Sequence, residues 1–201
     1  MRTAEFVSPK HPDKLCDRIS DAILDEYMSG DKNSRCAIET CGGHAKIFIT
    51  GEVTSKTDVS DDRIREIVYN LTGIDDVIIH IHEQSTYIAQ GVDVGGAGDQ
   101  GIMIGYACRE NDEMIPHEYY LARKLNKHIY EQYSFDGKTQ ITLNHNEVSV
   151  VASFQNAPKE NLEILVREFF EQYPQYKIVA LHCNPAGDWE KGSFQADAGV
   201  T

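Results

Sequence analysis

The sequence predicts an α+β protein built from two similar units, and two observations support this fold class. Segments with the four-residue apolar spacing of helices alternate with segments that have the composition and turns of β hairpins. The same order of helix, hairpin, helix and strand occurs twice, with matching elements about a hundred residues apart. We therefore expect one α+β repeat over residues 1–101 and a second over residues 102–201.

The first repeat begins with a helix in PDKLCDRISDAILDEYMSG, which Pro12 opens and Gly30 ends. Its apolar stripe consists of residues at four-residue spacing: Leu15, Ile19, Ile23 and Tyr27. The segments RCAIETC and AKIFITGEVT are expected to pair as a hairpin around a Gly42-Gly43 turn. Ser60 is expected to cap the next helix, DDRIREIVYNLTG, and VIIHIHE alternates as a strand does.

The second repeat has the same order of elements. Pro116 opens a helix that is expected to extend to Tyr133. The segments KTQITLN and EVSVVASF flank an HN turn, Pro158 opens the helix in KENLEILVREFFEQY, and IVALHC is the closing strand. A Gly-rich stretch follows each closing strand, GVDVGGAGDQG in the first repeat and NPAGDWEKGSFQADAGVT in the second.

Composition indicates a soluble cytoplasmic protein. The chain is 41% hydrophobic and 25% charged, has no apolar run near the roughly 18 residues that cross a bilayer, and its N-terminus lacks the apolar core of a signal peptide. The five cysteines form no C-x-x-C pair, which favours reduced thiols. The formal net charge of -13 disfavours nucleic acid as a partner, and an anionic ligand would need local basic residues or bound cations.

The glycines Gly96, Gly98 and Gly101 have the G-x-G-x-x-G spacing of a dinucleotide-binding turn. Such a turn needs a helix after it, whereas the following GIMIGYAC lacks helical periodicity. Asp99, inside the turn, would also face the phosphates. The spacing alone therefore indicates a Gly-rich bend rather than a nicotinamide or flavin site.

Several segments in order resemble S-adenosylmethionine synthetases (methionine adenosyltransferases). They are GAGDQGIMIGY, HPDK followed by DRISDAILD, IET, GEVT, QGVD, DGKTQ, NPAGDW and DAGVT. The resemblance implies a fold of three repeats, each a mixed or antiparallel sheet with helices packed on one face, of which two are present. It also implies a reaction in which the sulfur of methionine attacks C5′ of ATP, with release of phosphate and pyrophosphate. A homodimer or homotetramer with active sites at the subunit interface is implied as well.

The resemblance also implies ligands for two cations and for the triphosphate. Asp13 would bind Mg²⁺ and Glu39 would hold K⁺. His11 and Lys138 would lie along the triphosphate as catalytic donors, with Asp136 nearby in the ATP site.

The remaining implied residues bind methionine and the nucleotide. Glu52, Gln90, Asp99 and Asp197 would bind methionine, Asp99 from across a subunit boundary. Asp197 would also contact ATP as a catalytic residue, and Asp188 and Trp189 would lie at the adenine.

Each of these residues has an ordinary structural alternative when it is considered alone. A carboxylate such as Asp13 is favourable in the first turn of any helix, and His11 before proline could cap that helix. Glu39 and Glu52 could face solvent from their strands, and Lys138 could be a solvated hairpin lysine. His80 and His82 share one strand face, but no third metal ligand is evident, so ordinary strand histidines are the favoured interpretation.

The chain departs from the family pattern at four places. Lys10 replaces the usual glycine before HPDK, the segment between QGVD and GAGDQG is reduced to VG, and Asp188-Trp189 replaces an Arg-Phe pair. Thr201 precedes the family's Gly-Arg-Lys and second Gly-rich motif. The alternatives to an active synthetase are therefore a non-catalytic partner subunit, a fragment of a longer enzyme, and an unrelated Mg²⁺-dependent phosphohydrolase.

Overall fold

A computed structural model describes residues 1–201. In chain order its elements are β1 (Arg2–Val7), α1 (Pro12–Gly30), β2 (Arg35–Gly43), β3 (Lys46–Thr54), α2 (Asp61–Thr72), β4 (Val77–Glu83), α3 (Thr86–Val92), α4 (His117–Tyr130), β5 (Gly137–Asn144), β6 (Glu147–Phe154), α5 (Lys159–Glu171), β7 (Lys177–Cys183) and β8 (Ala198–Val200). A short 3₁₀ turn, Ser193–Gln195, precedes β8.

The chain divides into two compact units, which we name by their helices. The α1–α2 unit contains Pro12–Ile104 and Asp197–Thr201, and the α4–α5 unit contains Met1–His11 and Gly105–Ala196. Each unit therefore takes one strand from a distant part of the chain. The division of the sequence into repeats at residue 101 stays a prediction about duplication.

The α1–α2 unit contains a four-stranded mixed sheet in the order β4-β3-β2-β8. The β2–β3 and β2–β8 pairs are antiparallel and the β3–β4 pair is parallel. Alternate residues of β3 are buried because α1 and α2 cover one face of the sheet. Its core side chains are Leu15, Ile19, Ile23, Ile47, Ile49, Ile64 and Val68.

The α4–α5 unit repeats this arrangement with the sheet order β1-β5-β6-β7. The β1–β5 and β5–β6 pairs are antiparallel and the β6–β7 pair is parallel. Alternation along β5 and β6 buries one face of the sheet against α4 and α5. The core side chains include Leu121, Leu125, Ile129, Ile141, Val148, Val150, Leu162 and Val166.

The predicted fold class is confirmed, since both units are mixed sheets with helices on one face. The observed helix α1 has the predicted bounds, and Ser60 caps α2 by accepting a hydrogen bond from the Arg63 backbone N–H at 3.3 Å. The hairpin β5–β6 turns at the predicted HN pair, where His145 has φ of 55°. The periodicity of the sequence thus located most elements.

The hairpin β2–β3 turns at His44 and Ala45, and the predicted Gly42-Gly43 turn is wrong. Both turn residues have positive φ, 49° and 60°, as a two-residue type I′ turn requires. Gly43 instead lies within β2, where an added Cβ would be 2.8 Å from the Cβ of Ala198. The glycine therefore lets β8 approach β2 closely, which explains its presence outside the turn.

Three elements were not predicted, and one helix is shorter than expected. Strands β1 and β8 and helix α3 lie in segments without a clear local pattern, and α4 ends at Tyr130 rather than Tyr133.

All five cysteines are unpaired, and burial raises the pKa of Cys16 to about 12, so this thiol stays protonated within the core. None of the helices combines the length and apolar character needed to span a membrane.

Candidate functional site

The segment Asp197–Thr201 adds an edge strand to the sheet of the α1–α2 unit. In this segment, β8 pairs with β2 from Cys41 to Gly43. Beyond it, the Thr201 backbone N–H donates to the carbonyl of Thr40 at 3.0 Å. The Thr40 backbone N–H in turn donates to Oγ1 of Thr201 at 2.8 Å. These bonds fix the segment beside the start of α1.

Two residues predicted as cation ligands accept hydrogen bonds from this segment. Asp13 Oδ1 accepts from the Val200 backbone N–H at 3.2 Å, and Glu39 Oε2 accepts from the Thr201 hydroxyl at 2.9 Å. Asp197, the predicted catalytic residue, begins the same segment and accepts from the Ala198 backbone N–H at 2.8 Å. The structure thus brings Asp13, Glu39 and Asp197 to one short strand.

Gly199 allows this close approach. A Cβ on Gly199 would lie 2.3 Å from the carbonyl carbon of Pro12 and 2.4 Å from the backbone nitrogen of Asp13. Because these neighbours are backbone atoms, they cannot rotate away. Asp13 also lies in the first turn of α1, where a carboxylate is stabilised by the helix dipole.

The carboxylates do not form a complete metal site by themselves. No group of three or more His, Cys, Asp or Glu side chains in the chain is arranged to hold a metal ion. Mg²⁺ is commonly bound through one or two carboxylates, with water and substrate phosphates as the other ligands. Asp13 and Glu39 therefore fit cations that share their coordination with a bound nucleotide or with water.

Glu52 lies on the face of its sheet opposite to α1 and α2. It is half-buried in β3, with Ala37 of β2 on one side and His82 of β4 on the other. His80 lies on the same face, with its ring 5.8 Å from that of Phe48. This face is therefore a row of carboxylate and imidazole groups between exposed apolar side chains.

The glycine-rich segment ends a helix instead of beginning one. Gly95 follows α3 with φ of 84°, and the Gly96 backbone N–H donates to the carbonyl of Gly91 at 2.9 Å, as in a helix C-cap. No helix follows until α4 begins at His117. This order is the reverse of a dinucleotide-binding turn, in which glycines precede the helix.

Gln90 and Asp99, the other predicted methionine ligands, lie on either side of this helix end and are exposed. Asp99 accepts a hydrogen bond only from the backbone N–H of Gln100, at 2.7 Å. No hydrogen bond or ion pair joins Glu52, Gln90 and Asp99 to one another. After them, Ile102, Met103 and Ile104 are each at least 90% exposed.

An ion pair that the sequence analysis missed ties the end of α3 to β2. Arg35 Nη1 lies 3.0 Å from Asp93 Oδ1, one residue after α3. Two polar atoms near this end of the sheet, Arg35 Nε and Gln84 Oε1, are buried without a hydrogen-bond partner. No sequence motif marks Arg35, because its role depends on a contact between residues far apart in the chain.

We expect Arg35→Ala to loosen α3, the helix that carries Gln90, while hardly changing global stability. The pair is partly exposed, with 33% and 60% of the two side chains accessible, so its loss should cost at most about 1 kcal/mol. Amide exchange in α3 should accelerate by up to about fivefold. Lys46→Ala is the matched control, because it breaks a comparable pair with Asp76 at the other end of β3. Equal exchange in the two variants would contradict the prediction.

In the α4–α5 unit, the predicted triphosphate residues have different surroundings. Asp136 is 6% exposed and its Oδ2 accepts from the Ser193 backbone N–H at 2.7 Å. Lys138 is exposed on β5, between Val7 of β1 and Ser153 of β6. His11 is buried, and its backbone N–H donates to the carbonyl of Ser8 at 3.1 Å. Asp136 is thus held in place by the segment that leads to β8.

Asn184 connects the predicted adenine residues through a buried network. Its Nδ2 donates to the carbonyls of Ala157 and Phe154 at 2.8 and 3.3 Å and to Asp188 Oδ1 at 3.2 Å. Its Oδ1 accepts from the Phe154 backbone N–H at 3.0 Å and from Trp189 Nε1 at 3.2 Å. The motif NPAGDW contains this residue but gives no sign of its role, which comes from the five hydrogen bonds of its side-chain amide.

Asp188 is held by the start of α5. Its Oδ1 accepts from the Lys159 backbone N–H at 3.1 Å, in addition to the bond from Asn184. A carboxylate at this position satisfies a free N–H of the first helical turn. The next residue, Trp189, packs closely on Gly192. A Cβ added at Gly192 would lie 2.5 Å from the indole ring of Trp189.

Comparison with known proteins links both units to one family. Residues 1–92 match the sequence profile of the S-adenosylmethionine synthetase N-terminal domain, and residues 94–189 match that of its central domain. The S-adenosylmethionine synthase of Parvibaculum lavamentivorans is 35% identical over 99% of this chain and 61% of its own length. That of Zymomonas mobilis is 38% identical, over 99% of this chain and 62% of its own.

The fold is similar to that of a solved structure. An unusual S-adenosylmethionine synthetase from Campylobacter jejuni aligns with a TM-score of 0.83 and 28% identity, over 100% of this chain and 62% of its own. The chain thus spans about three fifths of the relatives that it matches. The alignment with the Parvibaculum protein has 239 positions against 201 residues here, so that relative carries at least 38 residues that this chain lacks within the matched region.

Proposed function

Because this chain belongs to the S-adenosylmethionine synthetase family, we propose that it forms S-adenosylmethionine from ATP and L-methionine, with release of phosphate and pyrophosphate. The observation that carries the proposal is the position of Asp13, Glu39 and Asp197 at β8. The three residues are far apart in the sequence. They belong to α1, to β2 and to the residue before β8, yet each accepts a hydrogen bond from the segment Ala198–Thr201, which supports a shared site.

The chemistry of the reaction suits a site without a general base. The thioether of methionine has no proton to lose when its sulfur forms a bond to C5′ of ATP and the bond to the triphosphate oxygen breaks. The protein must align sulfur with C5′, which can supply roughly 7–11 kcal/mol, and must stabilise the departing polyanion. Carboxylates, amides and a few cationic donors are the groups that these two tasks need.

Asp13 and Glu39, which both contact the segment of β8, are proposed to be ligands of the two cations. Mg²⁺ at Asp13 and K⁺ at Glu39 would bring positive charge to a strongly acidic chain, whose formal net charge is -13. Bound Mg²⁺ would offset the charge of the triphosphate. His11 and Lys138 are proposed to donate hydrogen bonds to its oxygens, and Asp136 is proposed to lie beside Lys138, two residues earlier in the chain.

The residues proposed to bind the substrate methionine are chosen for their chemistry and their exposure. Glu52, Asp99 and Asp197 carry carboxylates that suit the ammonium group of methionine, and Gln90 can bind either end of the amino acid. The exposure of Gln90 and Asp99 supports a role in binding a ligand from solvent. Trp189 is proposed to stack on adenine, with Asp188 beside it at the start of α5.

A homodimer or homotetramer with its active sites at the subunit interface is part of the proposal. The open face of the α1–α2 sheet presents Phe48, Ile78 and Val200, which are 41%, 48% and 57% exposed. The apolar stretch from Ile102 to Ile104 is exposed beside Asp99. Exposed apolar side chains that are grouped in this way favour burial against another chain.

The proposal is tested by assaying S-adenosylmethionine and phosphate together, with ATP, methionine, Mg²⁺ and K⁺. We expect both products, and we expect Asp13→Asn and His11→Asn each to slow their formation by about tenfold to a hundredfold, the effect of losing one charge-assisted contact. Asparagine at position 13 keeps an acceptor for the Val200 N–H, so the variant removes charge while preserving β8. Asp75→Asn, an exposed carboxylate outside the site, is the control and should have no effect.

The absence of S-adenosylmethionine alone and the absence of both products would have different meanings. Phosphate without S-adenosylmethionine would indicate hydrolysis of ATP or polyphosphate and would overturn the proposal. Neither product would favour the second candidate function, a partner subunit or part of a longer enzyme. The chain's coverage of only 61–62% of its relatives favours that candidate, which predicts activity on adding the missing region or a full-length relative.

A further inference from the structure

A cleft of about 440 Å³ lies at the carboxyl ends of the parallel strands β3 and β4. Its polar lining comes from α1, from the loop between β3 and α2, and from the end of β4: Tyr27, Ser55, Thr57, Asp58, His82 and Glu83. All of these belong to the α1–α2 unit. None of the residues proposed to bind ATP, methionine, Mg²⁺ or K⁺ lines the cleft.

The lining carries negative charge without a compensating lysine or arginine. Asp58 and Glu83 are on different elements, and neither carboxylate makes a hydrogen bond or ion pair with the protein. Ser55, in contrast, is already engaged, because its Oγ lies 2.7 Å from Ser34 Oγ and accepts from the Thr57 backbone N–H at 2.9 Å. The two carboxylates are therefore the groups available to a ligand.

Tyr27 provides an independent observation that points to a ligand. Its side chain is buried, with only 7% of the residue exposed, and it lines the cleft, yet its hydroxyl makes no hydrogen bond. Burial raises the pKa of this phenol, and the nearby Cys36, Asp58 and Asp61 raise it further, so the hydroxyl is neutral at physiological pH. The buried side-chain atoms that lack a partner do not include this oxygen, so it reaches the open space of the cleft, which Asp58 also lines.

We propose that this cleft binds a small aliphatic diamine. An ammonium group has three donors and no acceptor, so it can be satisfied by the carboxylates of Asp58 and Glu83 and by the oxygen of Tyr27. Carboxylates on two elements suit a ligand with a cationic group at each end. A divalent metal ion fits less well, because Asp58, His82 and Glu83 do not form a three-ligand cluster.

The test is a calorimetric titration of the purified chain with diaminobutane, using butanediol as a neutral ligand of the same length. We expect saturable binding of the diamine, no binding of the diol, and weaker binding as the salt concentration rises to about 0.15 M. Asp58→Asn should weaken binding by about tenfold or more, and Tyr27→Phe, which removes only the hydroxyl, should weaken it severalfold. The ring signals of Tyr27 should shift in the NMR spectrum on titration.

The matched control is Asp75→Asn, which changes net charge equally at the other end of β4 and should leave the affinity unchanged. The proposal is overturned if diaminobutane does not bind below about 10 mM, if the diol binds equally well, or if Asp58→Asn and Asp75→Asn weaken binding equally. Thermal unfolding of each variant establishes that it is folded. Because the readout is binding, the result does not depend on whether the chain forms S-adenosylmethionine.

Discussion

Replacement of Gly199 by alanine is expected to lower the free energy of unfolding by about 1–3 kcal/mol, the usual cost of inserting a methyl group into a tightly packed place. The added carbon would lie 2.3 Å from the carbonyl carbon of Pro12 and 2.4 Å from the nitrogen of Asp13. Both neighbours are backbone atoms at the start of α1. The strand β8 must therefore move away from the helix, and no side-chain rotation can relieve the contact.

The displacement of β8 should change amide exchange locally, in addition to lowering the global free energy of unfolding. The Val200 N–H donates to Asp13 and the Thr201 N–H to Thr40, so both amides should exchange faster in Gly199→Ala. Denaturant unfolding supplies the free energy, and amide exchange supplies the location. Gly105→Ala is the matched control, because an added Cβ at Gly105 meets no atom within 4 Å. Unchanged exchange at Val200 would show that β8 does not depend on Gly199.

Replacement of Asn184 by alanine is expected to destabilise the protein by about 3–5 kcal/mol, a large effect for one substitution. The residue is 2% exposed, and its amide makes five hydrogen bonds. Alanine leaves the carbonyl of Ala157 and the N–H of Phe154 buried without partners, each at a cost of about 1–3 kcal/mol. The φ of 39° at this position also favours asparagine over alanine.

Two further variants give the measurement its specificity. Asn184→Asp keeps the acceptor for Trp189 and Phe154 but loses the donors, and it places a second carboxylate beside Asp188, so it should also be strongly destabilising. Asn144→Ala, at an exposed strand end, is the control and should change stability by less than about 0.5 kcal/mol. The change in tryptophan fluorescence reports on Trp189, the single tryptophan of the chain. A loss below about 1 kcal/mol for Asn184→Ala would mean that the network is not a stabilising centre.

Local patterns sufficed to predict the parts of the fold whose signals lie within one element. The stripe from Leu15 to Tyr27 identified α1, and Ser60 identified the start of α2. The β2–β3 turn was placed wrongly because glycines at 42 and 43 are a strong local turn signal. Their actual reason, the close approach of Ala198, comes from a residue more than 150 positions away and has no local trace.

The candidate site shows the same limit. Asp13, Glu39 and Asp197 were named from their motifs, but only the fold shows that a single strand joins them. Arg35 and Tyr27 carry no motif, since an arginine at a strand end and a tyrosine in a helix stripe have ordinary structural explanations. Their interest comes from an ion pair to Asp93 and from a hydroxyl without a partner, which are properties of packing.

The pairing of β8 with β2 also sets an order of events during synthesis. The bonds between Thr40 and Thr201 join residues 161 positions apart, so the edge of β2 stays unpaired until the ribosome has released the later segment. At translation rates of about 5–20 residues per second, this interval is on the order of ten seconds. An open strand edge is a template for pairing with other nascent chains. The three residues of β8 therefore cover the β2 edge of the α1–α2 unit only late in synthesis. Slow translation of the second half of the chain prolongs the period in which that unit can aggregate.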